Sequence, residues 1–246
     1  HYGGQSAIKS GLLDRVKKAL DDENIAYCLC GGVVANPLLS KVNEGIELCE
    51  KEGVDFILAV GGGSVLDSSK GIAYGVYNEG NVWDYYARKK KVKGALPMGC
   101  ILTLAATGSE MSNSSVITNE DGNLKRGLSS EFGYFKFSIL NPELTYTVSQ
   151  YQTMCGCTDI IMHTFERYFT PYKTLDLVDR MAESLVRTVI ENAKILMKDP
   201  TNEQARAEIM WAGSVSHNDM TGDRSLGDWA CHQLEHELSG MFNVAH

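Results

Sequence analysis

The chain has 246 residues, 43% of them hydrophobic and 22% charged, and a length that buries roughly 70 to 75% of the unfolded surface, so a core forms without staples. Its net charge of -8 repels polyanions and excludes nucleic acid as a general partner, although a local pocket can still hold one small phosphate ligand. Seven cysteines, an odd number without zinc-ribbon spacing, fit a reducing cytoplasm better than a secreted disulfide framework, and neither a long apolar span nor a leader is visible.

The first elements alternate. Apolar residues at 12, 13, 16 and 20 with charges between them predict a helix over 11–25, and the short run "AYCLCGG" (26–32) reads as a strand ending on glycines. A helix over 37–53, an apolar strand over 54–64 and a helix over 65–78 follow. The basic run "ARKKKVKG" (87–94) reads as a solvated loop. A buried strand lies within 94–107, and "FGYFKFSILNPEL" (132–144) has β character. This alternation implies a parallel sheet covered on both faces.

Beyond Asn141-Pro142 the period becomes helical throughout, in segments 146–170, 174–198, 202–220 and 228–238. The fold class expected is therefore α/β plus all-α: a Rossmann-like nucleotide domain over 1–146 and a helical metal-binding domain over 147–246. An opening "HYGGQS" without Met, and a stop on His246, read as boundaries of a longer protein.

Gly61-Gly62-Gly63-Ser64 follows an apolar strand and opens a helix, so its backbone N–H groups can face an anion with the helix dipole behind them. It is neither GxGxxG nor a P-loop. The hydroxyl-rich "TLAATGSEMSNSS" (103–115) ends another strand, where open α/β sheets gather ligands.

Asp159 and His163 stand four apart in "TDIIMHTFE", on one helix face, and His232 and His236 share that spacing, with His246 in the following turn. Three imidazoles and a carboxylate suit Zn²⁺ or Fe²⁺ better than Mg²⁺ or Ca²⁺. Gln233 stands where a metalloprotease would place its base. His217 is expected to lie apart from this group, and Cys155 and Cys157 to be buried thiols.

The stretches "GGGSVLDSSK", "PMGCILTLAATGSEMS", "CTDIIMHTFE" and "DWACHQLEHELS…NVAH" together resemble the iron-containing (group III) alcohol dehydrogenases, within them the butanol dehydrogenase-like, NADPH-linked aldehyde reductase branch. The resemblance implies metal ligands at Asp159, His163, His232 and His246, and a histidine lining the active site, His236, as proton donor. It also implies a pyrophosphate loop at Gly62, Gly63 and Ser64, with cofactor contacts from Asp67, Thr103, Thr107 and Lys125. Near the start, Gly3, Gly4 and Ser6 replace the aspartate that NAD-preferring relatives carry, which favours NADP(H). Ser112-Asn113 departs from the family pattern, which often has the asparagine one position earlier. The implied activity is hydride transfer between NADP(H) and a short- to medium-chain aldehyde or alcohol by a homodimer. A polyol dehydrogenase or dehydroquinate synthase-like enzyme on the same scaffold, and a non-catalytic nucleotide or metal sensor, are the alternatives.

Overall fold

A computed structural model describes residues 1–172, 175–223 and 227–246. Its contacts divide the chain into two units, His1–Ile101 with Asn113–Ser138, and Leu102–Ser112 with Ile139–His246.

In the first unit a short helix α1 (Ser6–Lys9) is followed by α2 (Leu12–Asp22), which enters through a left-handed Gly11 and buries Leu12 and Leu13. Next come α3 (Leu39–Glu52), β1 (Ile57–Gly61), α4 (Gly63–Tyr77), the short α5 (Trp83–Tyr86) and β2 (Met98–Leu102). α3 stops at Gly53, whose φ of 66° lets its N–H return to the Cys49 carbonyl. β2 is buried along its whole length, as a strand covered on both faces must be. The sheet runs in the order β1-β2-β5, with β5 at Phe137–Ile139. Val42, Ile57, Ile72, Tyr74, Tyr86, Met98 and Ile117 form its core.

Segment 26–32, expected as a strand, forms none. Gly32 takes φ 88°, which ends any ladder there, and Tyr27 and Leu29 are exposed. The segment instead lies along the first residues. The Tyr2 N–H donates to the Cys30 carbonyl at 3.0 Å, Gly3 bridges Val33, and Tyr2 bridges Val60 of β1 in parallel. A hairpin absent from the expectations joins β3 (Ser114–Asn119) to β4 (Leu124–Ser129). Its turn uses Gly122 and Asn123, both at positive φ.

The second unit is built from α6 (Gln150–Tyr168), α7 (Asp176–Leu196), α8 (Glu203–Ser216) and α9 (Ala230–Phe242). Ser149 caps α6 by accepting from the Gln152 N–H, and Asn202 caps α8 through the Ala205 N–H. Ile160, Val189, Leu196 and Ile209 fill the core between them. The loop 102–112 folds onto these helices: Glu110 accepts a 2.6 Å hydrogen bond from Ser214, and Gly156 on α6 meets the Ala105 carbonyl. Among the described residues no helix is long and apolar enough to cross a membrane.

Candidate functional site

The helical period of α6 places Asp159, His163 and Glu166 along one face, and all three are buried. α9 carries His232 and His236, and the chain beyond it returns His246 to the same place. Asp159 Oδ1 lies 3.4 Å from His232 Nε2, 3.8 Å from His246 Nε2 and 3.5 Å from His163 Nδ1. Donor atoms of Asp159, His232 and His246 all lie within 4.8 Å of one another. His163 flanks them, its ring 4.5 Å from that of His232. His236 stacks on His246 at 5.6 Å, one ring further out.

Two buried polar atoms here, Asp159 Oδ2 and His163 Nδ1, have no hydrogen-bond partner. A buried lone pair left unmatched costs about 1–3 kcal/mol, so a pair of them in one nest of donors is the mark of a site shaped for an ion. One carboxylate and three imidazoles form a donor set of the borderline kind that divalent iron and zinc accept. The residues therefore fit a divalent metal.

Electrostatics separates the histidines. Burial first, then the facing His217, His232, Arg167 and His246, hold the His163 pKa well below the usual imidazole value, so this ring is neutral and able to donate a lone pair. Burial pulls His232 the same way, but its hydrogen bonds and charge pairing with Asp159 and Glu166 outweigh that and raise its pKa.

Three residues that sequence reasoning left outside the site, Glu166, His217 and Arg167, enter this nest. Glu166 accepts from His232 Nδ1 and from the His232 backbone N–H, both at 3.1 Å. His217, expected to lie apart, has its ring 4.2 Å from that of His163, because α8 ends against α6. Arg167 is fully buried. Its guanidinium donates to the carbonyls of His163 (2.8 Å) and Ser216 (2.9 Å), lies 3.2 Å from His217 Nδ1 and sits over the Trp229 ring. The i+3 and i+4 spacing of Glu166 and Arg167 from His163 was the available clue.

In the other unit, Gly62 is the N-cap of α4, and no side chain caps that helix end. A Cβ on Gly61 would strike Val65 at 2.4 Å, so glycine is needed for the strand to turn into the helix this tightly. Gly3 lies beside Val65 of the same turn, and the space over Gly4 is open. Ser64 is half-buried and Ser6, at the start of α1, is exposed. Asp67 accepts the Val116 N–H at 2.8 Å, and Lys125 donates to Asn36 at 2.9 Å, so both carry partners inside the unit. Thr103 and Thr107 belong to the loop that packs on the helical unit, where Thr107 Oγ1 accepts the Ser109 N–H.

The chain is similar to known proteins in sequence and fold. The probable NADH-dependent butanol dehydrogenase 1 of Bacillus subtilis is 44% identical over 245 residues, covering 100% of this chain and 63% of its own length. The NADPH-dependent aldehyde reductase YqhD of Escherichia coli is 37% identical, covering 100% of this chain and 64% of its own. The crystal structure of NADH-dependent butanol dehydrogenase A from Thermotoga maritima superposes with a TM-score of 0.96 at 38% identity, covering 100% of this chain and 62% of that one. The chain thus spans about 63% of the length of the curated relatives it matches. The sequence profile "Iron-containing alcohol dehydrogenase" matches residues 1–142, and "Fe-containing alcohol dehydrogenase family, C-terminal" matches residues 153–246. With both halves matched in order, the chain belongs to the iron-containing alcohol dehydrogenase family.

Proposed function

We propose that the full-length protein transfers hydride between NADP(H) and a short- to medium-chain aldehyde or primary alcohol, butanal and butanol being the representative pair. Asp159, His163, His232 and His246 would hold one divalent ion, Fe²⁺ or Zn²⁺. The observation that carries the reading is the convergence of His232 and His246 on one oxygen of Asp159, beside two orphaned buried donor atoms. When bound, the ion supplies Lewis acidity and the nicotinamide supplies hydride.

The chain's own residues do the rest. Burial of Asp159, His163 and His232 keeps bulk water from the ligand atoms. His236, half-buried and stacked on His246, gives a proton from its imidazole to the oxygen of the product alcohol, at a pH where imidazole exchanges protons readily. The N–H groups at Gly62, Gly63 and Ser64 would hold the cofactor pyrophosphate. Asp67 and Lys125 act from their anchors on Val116 and Asn36, and Thr103 and Thr107 supply hydroxyls. Gly3, Gly4 and Ser6 offer no carboxylate to repel a 2′-phosphate, and the open space over Gly4 supports NADP(H), although the names of the Bacillus and Thermotoga relatives both specify NADH. The cytoplasmic homodimer expected from the sequence belongs to the same proposal.

The test is kinetic. After reconstitution with Fe²⁺ or Zn²⁺, the full-length protein should reduce butanal with kcat/KM at least about tenfold higher for NADPH than for NADH, a difference of about 1.4 kcal/mol. Equal or reversed values would refute the cofactor assignment, and oxidation of glycerol in preference to butanol would refute the substrate class. His236→Ala should cut turnover and flatten its pH profile; an unchanged profile would remove that residue from the proton path.

A further inference from the structure

His232 and His246 come from the far end of the chain, and each presents its two ring nitrogens differently. Nε2 of both rings faces Asp159 Oδ1, at 3.4 and 3.8 Å. Nδ1 of both faces a carboxylate: Glu166 Oε1 at 3.1 Å for His232, and Glu235 in a hydrogen bond for His246. An ionised carboxylate only accepts, so in each pair Nδ1 carries a proton, which leaves Nε2 as the nitrogen that offers a lone pair once an ion stands between it and Asp159. A hydrogen bond of this kind fixes the tautomer and the ring's rotation together, the two freedoms that an imidazole must lose to bind an ion well.

Glu166 has a second task. Trp229, the N-cap of α9, supplies no side-chain cap; Asp228 accepts the Ala230 N–H at 2.9 Å, and the same Glu166 Oε1 that holds the His232 ring accepts the His232 backbone N–H at 3.1 Å. Its carboxylate thus sits at the positive end of α9 while rooted on α6, tying the helix that carries His232 to the helix that carries Asp159 and His163. Glu235 lies one turn beyond His232 on α9 and reaches His246, eleven residues on.

We propose that Glu166 and Glu235 are positioning residues of this centre, holding His232 and His246 as Nε2-donating tautomers aimed at the point Asp159 faces. The inference rests on the reading that Asp159, His163, His232 and His246 bind a divalent ion. Glu235, His236 and His246 also lie within ligand reach of one another. Glu235 is nonetheless a support, because its carboxylate is engaged with the ring nitrogen of His246 that points away from Asp159. Glu166 has a side chain only 5% exposed, against 22% for Glu235, so its bond acts in the drier setting and has the larger effect.

The experiment is a competition titration of Zn²⁺ and Co²⁺ against a chelator on the full-length protein and four variants, Glu166→Ala, Glu166→Gln, Glu235→Ala and Glu235→Gln. Circular dichroism monitors the fold. The Ala variants should bind either ion about 10- to 100-fold more weakly, Glu166→Ala more so, with a changed Co²⁺ visible spectrum. Gln keeps a carbonyl oxygen that accepts from Nδ1, so the Gln variants should recover to within about fivefold of the parent. NADPH binding, followed by fluorescence, should be unchanged in all four. Parent-like affinity and spectrum in both Ala variants would overturn the proposal while leaving the metal reading intact. Loss of the ion in Glu235→Gln as complete as in His246→Ala would overturn it by making Glu235 a ligand. A parent protein that binds neither ion would overturn the metal reading and this proposal with it.

Discussion

Replacing Gly156 by alanine sets two physical effects of opposite sign against each other. Gly156 lies inside α6, where alanine is intrinsically about 1 kcal/mol more favourable than glycine. Its position faces a backbone: a Cβ there would come to 2.3 Å from the Ala105 carbonyl oxygen, inside the 3.0 Å that Cβ contacts keep, and to a tight 3.3 Å from the Ala106 side chain. A carbonyl held by its own chain cannot swing aside as a side chain can, so α6 or the loop must retreat by most of an ångström. Overpacking of this kind costs about 1 to 3 kcal/mol, and the crowding is at the severe end. The net expectation is destabilisation by about 1 to 2 kcal/mol, or a fall in Tm of roughly 2 to 8 °C for a domain of this size. Asp159 lies three residues on, so metal affinity should fall as well. Thermal melts and chelator competition on the full-length Gly156→Ala variant provide the assay. A Tm equal to or above the parent's, with metal affinity retained, would refute the close-approach argument and leave propensity as the ruling effect.

Other outcomes follow from buried groups. Ser214→Ala removes the 2.6 Å donor to the buried Glu110 and should lower stability by about 1 to 3 kcal/mol; a melt unchanged to within about 1 °C would contradict this. Burial pushes the thiols of Cys49 and Cys157 up to about 11, so iodoacetamide at pH 8 should label the exposed Cys28 and Cys231 first and reach the other two only after unfolding. Labelling of Cys157 at the rate of Cys28 in the folded protein would refute that ordering. The sign for stability follows too: the folded state keeps these protons beyond the ordinary value of 9.0, so their contribution is full below that pH and is lost as pH rises towards about 11. Denaturant midpoints between pH 8 and 11 measure it.

Helices were the legible part of this chain, because a stripe of period 3.6 survives without knowledge of the partner. α2, α3, α4 and the helices of the second unit lie within two to four residues or so of the spans their apolar spacing predicts. The β3–β4 hairpin was missed because Ser114, Ser115, Lys125, Arg126 and Ser129 dilute the alternation, leaving only Asp121-Gly122-Asn123 to mark it. The strand expected at 26–32, ending on its glycines, failed because apolar residues alone do not make a ladder: Tyr27 and Leu29 stay exposed, and the left-handed Gly32 ends any pairing there. At the site, Asp159 with His163 and His232 with His236 were visible as helical pairs. The nearness of His232 to Asp159, 73 positions earlier, is tertiary, and only the family resemblance supplied it beforehand. His217, Glu166 and Arg167 escaped because, in a string of letters, a histidine at a helix end and a Glu-Arg pair look like solvated surface. Burial, not residue type, marks them.

Arg167 has an implication for transplantation. One guanidinium grips the carbonyls of His163 and Ser216, meets the His217 ring and lies 4.8 Å from the centre of the Trp229 ring, so it spans α6, the end of α8 and the residue before α9. Lysine carries a single point of charge and cannot serve such a fan of partners at once. Grafting the four candidate ligands onto another helical scaffold would therefore transfer their chemistry without their spacing. The portable module is larger: it includes Arg167, His217 and Trp229, inherited as one piece or not at all.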